Sequence, residues 1–320
     1  MVSSSKKYIR QILPLAGVLL ALAVEILVPN HRRHPSADFH YYRTLLFVSL
    51  VIFAGLFVAS FFNFKIKGWL LKNGALSGGG FILLTVINLI TAKLLLLPAL
   101  LFPSFDNILS VFIESKVLII KCVLYSFRLL GVGVLCGAFI GFLTGVVLGI
   151  SKTASYWATP VIKIIGPIPA TAWIPILLSV FPTTFGASAF IVGLAVWFPV
   201  VLLTSSGIQN VPKVYFEVGK TLGTSRFGRI VRIALPAALP SIFQGLFFGV
   251  CSAFIALMTG EMFGARFGIG WYISMEKELA EYKGVYAGLI LIALFCLVIL
   301  NTVLKVRSHL LKWQKGLVVW

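Results

Sequence analysis

An all-α membrane protein with about eight transmembrane helices is the fold class this 320-residue sequence predicts, and three observations carry it. Hydrophobic residues make up 59% of the chain and charged residues 11%, with a mean hydropathy of +1.03. A soluble domain needs about 25% charged residues to keep its surface wetted. The apolar residues also gather into eight runs, each near the ~20 residues that cross a hydrocarbon core. Finally, the excess of basic residues (27 Lys+Arg against 9 Asp+Glu, net +18) falls in short clusters between those runs. A nucleic-acid-binding fold would instead show a basic stripe on a soluble surface, so nucleic acid is excluded as a partner.

The first three runs, 11–29, 44–62 and 79–103, are rich in Leu, Phe and Val and are joined by ordinary connections. No secretory signal is expected, because the first run lacks a small-residue cleavage site and leads at once into His31-Arg32-Arg33-His34. Glu25 and Lys93 could pair across this region. The reading preferred from sequence is a snorkelling lysine and a carboxylate at the interface. His31, His34 and His40, with Asp38, are too loosely spaced to predict a metal site.

From about residue 105 the texture changes. The run 127–150 carries Gly133, Gly137, Gly141, Gly145 and Gly149, one every fourth residue, which predicts a helix face closely clasped by a neighbour. The runs 161–181 and 186–206 are punctuated by Pro160, Pro167, Pro169, Pro175, Pro182 and Pro199. Each proline removes a backbone donor, so broken or kinked helices are expected, and these suit a translocation route. Trp173 and Trp197 either line such a route or fill space. The runs 236–259 and 284–304 complete the set. Glu261, at the outer end of the seventh, is a functional candidate because acidic groups at membrane depth are costly; the alternative is an ion pair with Arg266. Cys122, Cys136, Cys251 and Cys296 lie in or beside apolar runs without metal-ligand spacing, and are expected as free thiols.

Eight spans place both termini on one side of the membrane. Segments on that side hold 17 Lys/Arg and the opposite segments nine, with Lys93 inside a span, so both ends are expected in the cytoplasm. The longest inner connection runs from Gln209 to Pro236. Its sequence predicts a short helix, a break at Gly223 and a second helix N-capped by Ser225, with Arg226, Arg229 and Arg232 on one face. An amphipathic helix pair of this kind suits a groove in a partner protein, or a surface of anionic headgroups. Gly219-Lys220-Thr221 imitates the end of a phosphate-binding loop. The glycine required five residues earlier is Val214 and no strand precedes it, so this chain is expected to bind no nucleotide.

Glu217, then Gly223 six residues on, then Leu235-Pro236, resembles the cytoplasmic EAA loop of ABC importer permeases. Pro167-Ile168-Pro169-Ala170-Thr171-Ala172-Trp173-Ile174-Pro175, and Gly260-Glu261-Met262-Phe263-Gly264-Ala265 followed by Gly268-Ile269-Gly270, are similar to segments of the nitrate/sulfonate/taurine/bicarbonate branch of that family. The ordered set covers about 105–320. Val218 and Gly219 stand where the family has two alanines, which implies a less rigid first docking helix, since glycine costs about 1 kcal/mol relative to alanine in a helix.

The resemblance implies a type I importer (MetI-like) permease core at 105–320 behind a three-helix extension at 1–104, in a bacterial inner membrane. It implies no catalysis and no cofactor of the chain's own, with ATP used by cytoplasmic ATPase subunits that receive the loop. A second permease subunit, expected as a homodimer, and an extracytoplasmic binding protein complete the assembly. On this reading Glu217, Val218, Gly219, Leu222, Gly223, Thr224, Ser225, Arg226, Leu235 and Pro236 form the coupling loop. Pro167, Pro169, Trp173, Pro175 and Glu261 are expected on the path. The cargo would be a small anion or organic solute, with a vitamin-like heterocycle as the alternative. A self-sufficient secondary transporter is the competing class; the sequence shows no convincing internal repeat, and ionisable residues are nearly absent from its core spans.

Overall fold

The computed structural model describes residues 2–31, 40–166 and 168–312, and all regular structure among them is helical. His34, Asp38 and Pro167 lie outside the described residues. The helices are α1 (Val2–Leu27), α2 (Tyr41–Phe62), α3 (Phe64–Asn88, continued by a π turn at Leu89–Lys93), α4 (Phe105–Glu114), α5 (Lys116–Ile150), α6 (Lys152–Ile165), α7 (Ile174–Val180), α8 (Thr184–Gln209), α9 (Lys213–Thr221), α10 (Arg226–Arg229), α11 (Leu235–Gly264), α12 (Ile269–Glu278) and α13 (Tyr282–Leu310). Among the described residues, seven continuous helical segments are long and apolar enough to cross a membrane. The chain divides into two compact units, Met1–Lys116 with Glu276–Ala287, and Val117–Met275 with Gly288–Trp320.

In the first unit α1 and α3 pack through small residues. A Cβ at Gly17 would stand 2.7 Å from the carbonyl oxygen of Gly78, and Gly74 lies directly against the backbone of Arg10. Gly74 and Gly78 are thus a GxxxG pair that lets two backbones touch. The expected connection between the second and third runs is therefore helix: α3 begins at Phe64, immediately after Asn63 caps it, and ends at Lys93 instead of near 103. Contacts of Gly74 with Arg10, Gly78 with Gly17 and Asn88 with Glu25 advance together, so α1 and α3 are parallel.

Lys93 corrects the sequence reading. It does not snorkel: its side chain is buried, its ammonium is 3.1 Å from Glu25 Oε2, and it also donates to the carbonyl of Val28. Asn88 Nδ2 donates to the same carboxylate oxygen at 2.8 Å. The lysine thus closes the C-terminal end of α1, where unpaired carbonyls and the helix dipole favour a cation. The mirror arrangement holds α2, whose Tyr42 N–H donates to the buried carboxylate of Asp106 on α4 at 2.8 Å. The glycine contacts and these two polar ties all lie within this unit.

In the second unit the glycine stripe of α5 packs on α8 as expected. A Cβ at Gly137 would meet the backbone of Gly193, at Gly141 Val200, at Gly145 Thr204 and at Gly149 Ile208. Partner numbers rise together, so α5 and α8 are parallel. Against α11 the order reverses, with Gly207 facing Ser241, Gly249 facing Val196 and Gly260 facing Ser188. The parallel relation settles the fate of the proline-rich run. Because α5 ends on the side where α8 also ends, residues 151–183 must return across the whole thickness before α8 begins. They do so as a broken span: α6, a 3-10 turn at Ala170–Trp173 and α7, bent by 82° at the break. The run 161–181 is accordingly no continuous helix, and the eighth crossing is this interrupted one.

Candidate functional site

The connection after α8 is a closed helical hairpin. Gly223 has φ of +73°, a left-handed conformation that glycine adopts without steric cost. Its N–H donates to Lys220 O at 3.0 Å and the Thr224 N–H donates to Gly219 O at 2.9 Å, the paired bonds of a Schellman termination of α9. Two residues later the Ser225 hydroxyl accepts from the Gly228 N–H at 3.1 Å and starts α10. One local signal therefore ends a helix and the next begins another, with Thr224 the only residue between Gly223 and that cap.

The second helix of the hairpin differs from the expected separate element. It passes through a π turn at Ile230–Ala234 straight into α11, so Arg226–Gly264 is one 39-residue run. The cause is Pro236, which has no N–H and would press its ring on the carbonyl four residues back. Widening the turn, with the Leu235 N–H bonded to Ile230 O, makes room for it without ending the helix. The arginine face is thus the end of a membrane-crossing rod.

Gly219 is buried against Ile233 Cδ1, 2.5 Å from where its Cβ would stand, and Phe216 packs into a cluster of Ile208, Ala234 and Ala238. These contacts hold α9 on α8 and α11, and sequence reasoning missed both Phe216 and Ile233. The small-residue position opposite a large aliphatic one was the signal available. Leu235 joins the same cluster, whereas Val218, Leu222 and Arg226 face outward. Leu222 is 78% exposed and Phe227 75%. Glu217 is also exposed and makes no ion pair among the described residues.

At the broken span, Pro169 and Trp173 line a cavity of about 240 Å³ with Trp197, Phe198 and Pro199 of α8 and Ser252 of α11. No ionisable side chain among the described residues lines it. The indole N–H of Trp173 is buried and has no partner among the described residues. Gly166 sits against the ring of Phe198, where any side chain would collide. Pro175 opens α7 and does not line the cavity.

Glu261 is placed elsewhere. It is 0% exposed; its Oε1 accepts from the Ser126 hydroxyl at 2.6 Å and its Oε2 from the Gly270 N–H at 2.8 Å. Ser126 Oγ in turn accepts from the Ile269 N–H at 2.9 Å. The carboxylate and the serine together satisfy the first N–H groups of α12, an end of a helix that favours negative charge. Gly268, at φ of +130°, approaches the carboxylate so closely that no Cβ fits. No ion pair with Arg266 forms among the described residues. The expected partner is replaced by Ser126, 135 residues away.

The chain has counterparts among known proteins. The family described as binding-protein-dependent transport system inner membrane component matches residues 133–310. The chain belongs to that family. Among its relatives in this inner-membrane-component family, the nitrate import permease protein NrtB of Synechococcus elongatus is 34% identical over 151 residues, 47% of this chain and 54% of that protein. The putative aliphatic sulfonates transport permease protein SsuC of Bacillus subtilis is 28% identical over 184 residues, 58% of this chain and 67% of that protein. The taurine transport system permease protein TauC of Escherichia coli is 26% identical over 174 residues, 54% of this chain and 63% of that protein. The chain spans about half the length of the nitrate relative it matches. In fold, it is similar to a chain of the MetNI methionine ABC transporter in an inward-facing form, with a TM-score of 0.54 at 16% identity over 62% of this chain and 98% of that one.

Proposed function

We propose that this chain is the membrane-spanning permease subunit of an ABC importer, passing a small anion or organic solute along the broken span. The observation that carries this reading is the α9–α10 hairpin. It is rigidly closed at Gly223 and Ser225, anchored by Phe216, and yet presents Leu222 and Phe227 almost fully to solvent beside a row of arginines. Exposed apolar side chains on a stiff, basic loop are what a protein groove receives. The proposed occupant of the other side is a separate cytoplasmic ATPase, which would supply the ATP chemistry.

Glu217 and Arg226 then face the ATPase, Gly223 and Ser225 hold the turn, and Leu235-Pro236 join the loop to α11. Movement imposed on the loop passes directly into the 39-residue rod. Rigid-body switching of a helix packed along α8 would in turn open or close the cavity at Pro169 and Trp173. The neutral lining of that cavity leaves charge selection to an extracytoplasmic binding protein. Glu261 is assigned to holding α12 in place. A second permease subunit, in a homodimer, would supply the other wall. Residues 1–104 form an added membrane-embedded extension, and both termini lie in the cytoplasm.

Copurification tests the reading. From native membranes the wild-type chain should bring down an ATPase subunit, and Leu222→Glu should bring down about tenfold less of it or none, while remaining monodisperse in detergent. ATP-independent transport by this chain alone in liposomes would refute the proposal.

A further inference from the structure

A second recess lies where α5 and α8 both end. It has a volume of about 850 Å³ and is walled by the end of α5, by α6, by the end of α8, by α9 and by the π turn before α11. Lys152, Lys163 and Lys213 line it, and no Asp or Glu does. An anion in this concavity would meet three cations and no described carboxylate. The remaining polar groups are donors of the kind a phosphate oxygen takes. Ser155 and Thr159 stand one turn apart on α6, their hydroxyls 3.3 Å from each other. Gln209 uses one N–H of its amide on Leu148 O at 3.2 Å, and its second N–H is left for another acceptor.

The level of the recess in the membrane is set by the spans that frame it. Ile150 and Gln209 are the last residues of two helices long enough to cross, so the recess lies at the end of those spans and not midway along them. Tyr156, on its lip, and the neighbouring Trp157 are exposed on α6, as aromatic residues at a headgroup layer are. Basic pockets between helices at this depth accept anionic lipid headgroups.

We propose that this recess is a binding site for a phosphate-bearing anion, drawn from the headgroup of an anionic phospholipid or from free phosphate. An occupant would tie α6, which opens the broken span, to α9, which opens the hairpin, through Lys152, Lys163 and Lys213. The site stands on its own residues and does not depend on the transport reading.

The test uses the full chain in nanodiscs of phosphatidylcholine doped with phosphatidylglycerol, with lipids retained after extraction counted by native mass spectrometry. Phosphatidylglycerol should be retained in preference to phosphatidylcholine. The combined Lys152→Gln, Lys163→Gln, Lys213→Gln variant should lower that preference by about fivefold per lysine, roughly a hundredfold in all. The corresponding triple Lys→Arg variant should keep it. A control carrying Lys65→Gln, Lys67→Gln and Lys72→Gln, which removes three lysines of α3, should also leave it unchanged. Inorganic phosphate at millimolar concentration distinguishes the sources: displacement of the retained lipid supports the site with free phosphate as an occupant, and no displacement supports it with the lipid alone. Undiminished preference in the recess variant, or an equal loss in the α3 control, would overturn the proposal.

Discussion

Replacing Gly268 with alanine should cost more stability while Glu261 is present than after Glu261 has been removed. An alanine Cβ at 268 would stand 2.6 Å from both carboxylate oxygens, against about 3.4 Å for ordinary contact. The carboxylate would have to retreat by nearly 1 Å, taking its bonds to Ser126 and Gly270 from 2.6 and 2.8 Å to beyond hydrogen-bonding range. Each buried donor left without its acceptor costs about 1–3 kcal/mol. Backbone strain at a φ of +130° adds about 1–3 kcal/mol. Glu261→Ala alone orphans the same two donors. In the double variant the hydrogen bonds are lost only once, so the two effects should fall short of additivity by about 2–3 kcal/mol. Cys122, 1% exposed on α5 four residues from Ser126, is a local reporter once Cys136, Cys251 and Cys296 are changed to serine. Its rate of thiol modification along a denaturant series in detergent gives the four free energies of the cycle. Additivity within about 0.5 kcal/mol would show that Gly268 and the carboxylate do not share this space, and the account of Glu261 as the cap of α12 would fail.

Three further outcomes are expected. Gly223→Pro removes the bond to Lys220 O and forbids the φ of +73°, yet no atom lies within 4 Å of that glycine's Cβ position; ATP-driven uptake into membrane vesicles should be abolished while size-exclusion in detergent shows a folded protein, and Glu217→Arg should behave alike. Lys93→Met leaves the Glu25 carboxylate buried and unpaired, which costs about 3–5 kcal/mol, and adding Glu25→Gln should recover most of the loss in thermal unfolding. Gly137→Ala should destabilise by about 1–3 kcal/mol, because its Cβ meets the Gly193 backbone, whereas Gly131→Ala, which faces open space inside the same helix, should stabilise by up to about 1 kcal/mol in the same assay.

The hairpin was readable in the sequence because its signals are local. A glycine that ends one helix and a serine that caps the next act on backbone groups within three or five residues of themselves, and Gly223 and Ser225 do so here. The α5 stripe was readable for the same reason, since a period of four needs only helix geometry. The GxxxG pair of α3 is just as local, but Lys65, Lys67, Lys72 and Asn73 beside it give the segment the polarity of a connection. The Lys93–Glu25 pair was open as an alternative and lost to snorkelling, because a sequence does not show that the π turn at Leu89–Lys93 aims the lysine at the end of α1. At the candidate path, Pro169 and Trp173 meet in one cavity while Pro175 and Glu261 do not. Their common signal, an unusual residue in an apolar run, says nothing about which way each one points.

Residence in the membrane, the number of crossings to within one, the interruption by prolines and the turn chemistry of the loop were determined by the sequence alone. Each follows from composition or from interactions that close within a few residues. Tertiary structure decided the rest. That the proline-rich run crosses rather than re-enters follows from α5 and α8 being parallel, and that Glu261 caps α12 follows from Ser126 being brought to it. The physical reason is common to both: such contacts join residues tens to more than a hundred positions apart. Which ones form depends on how closely the glycine-lined backbones can approach, a property of the packed bundle and of no single segment.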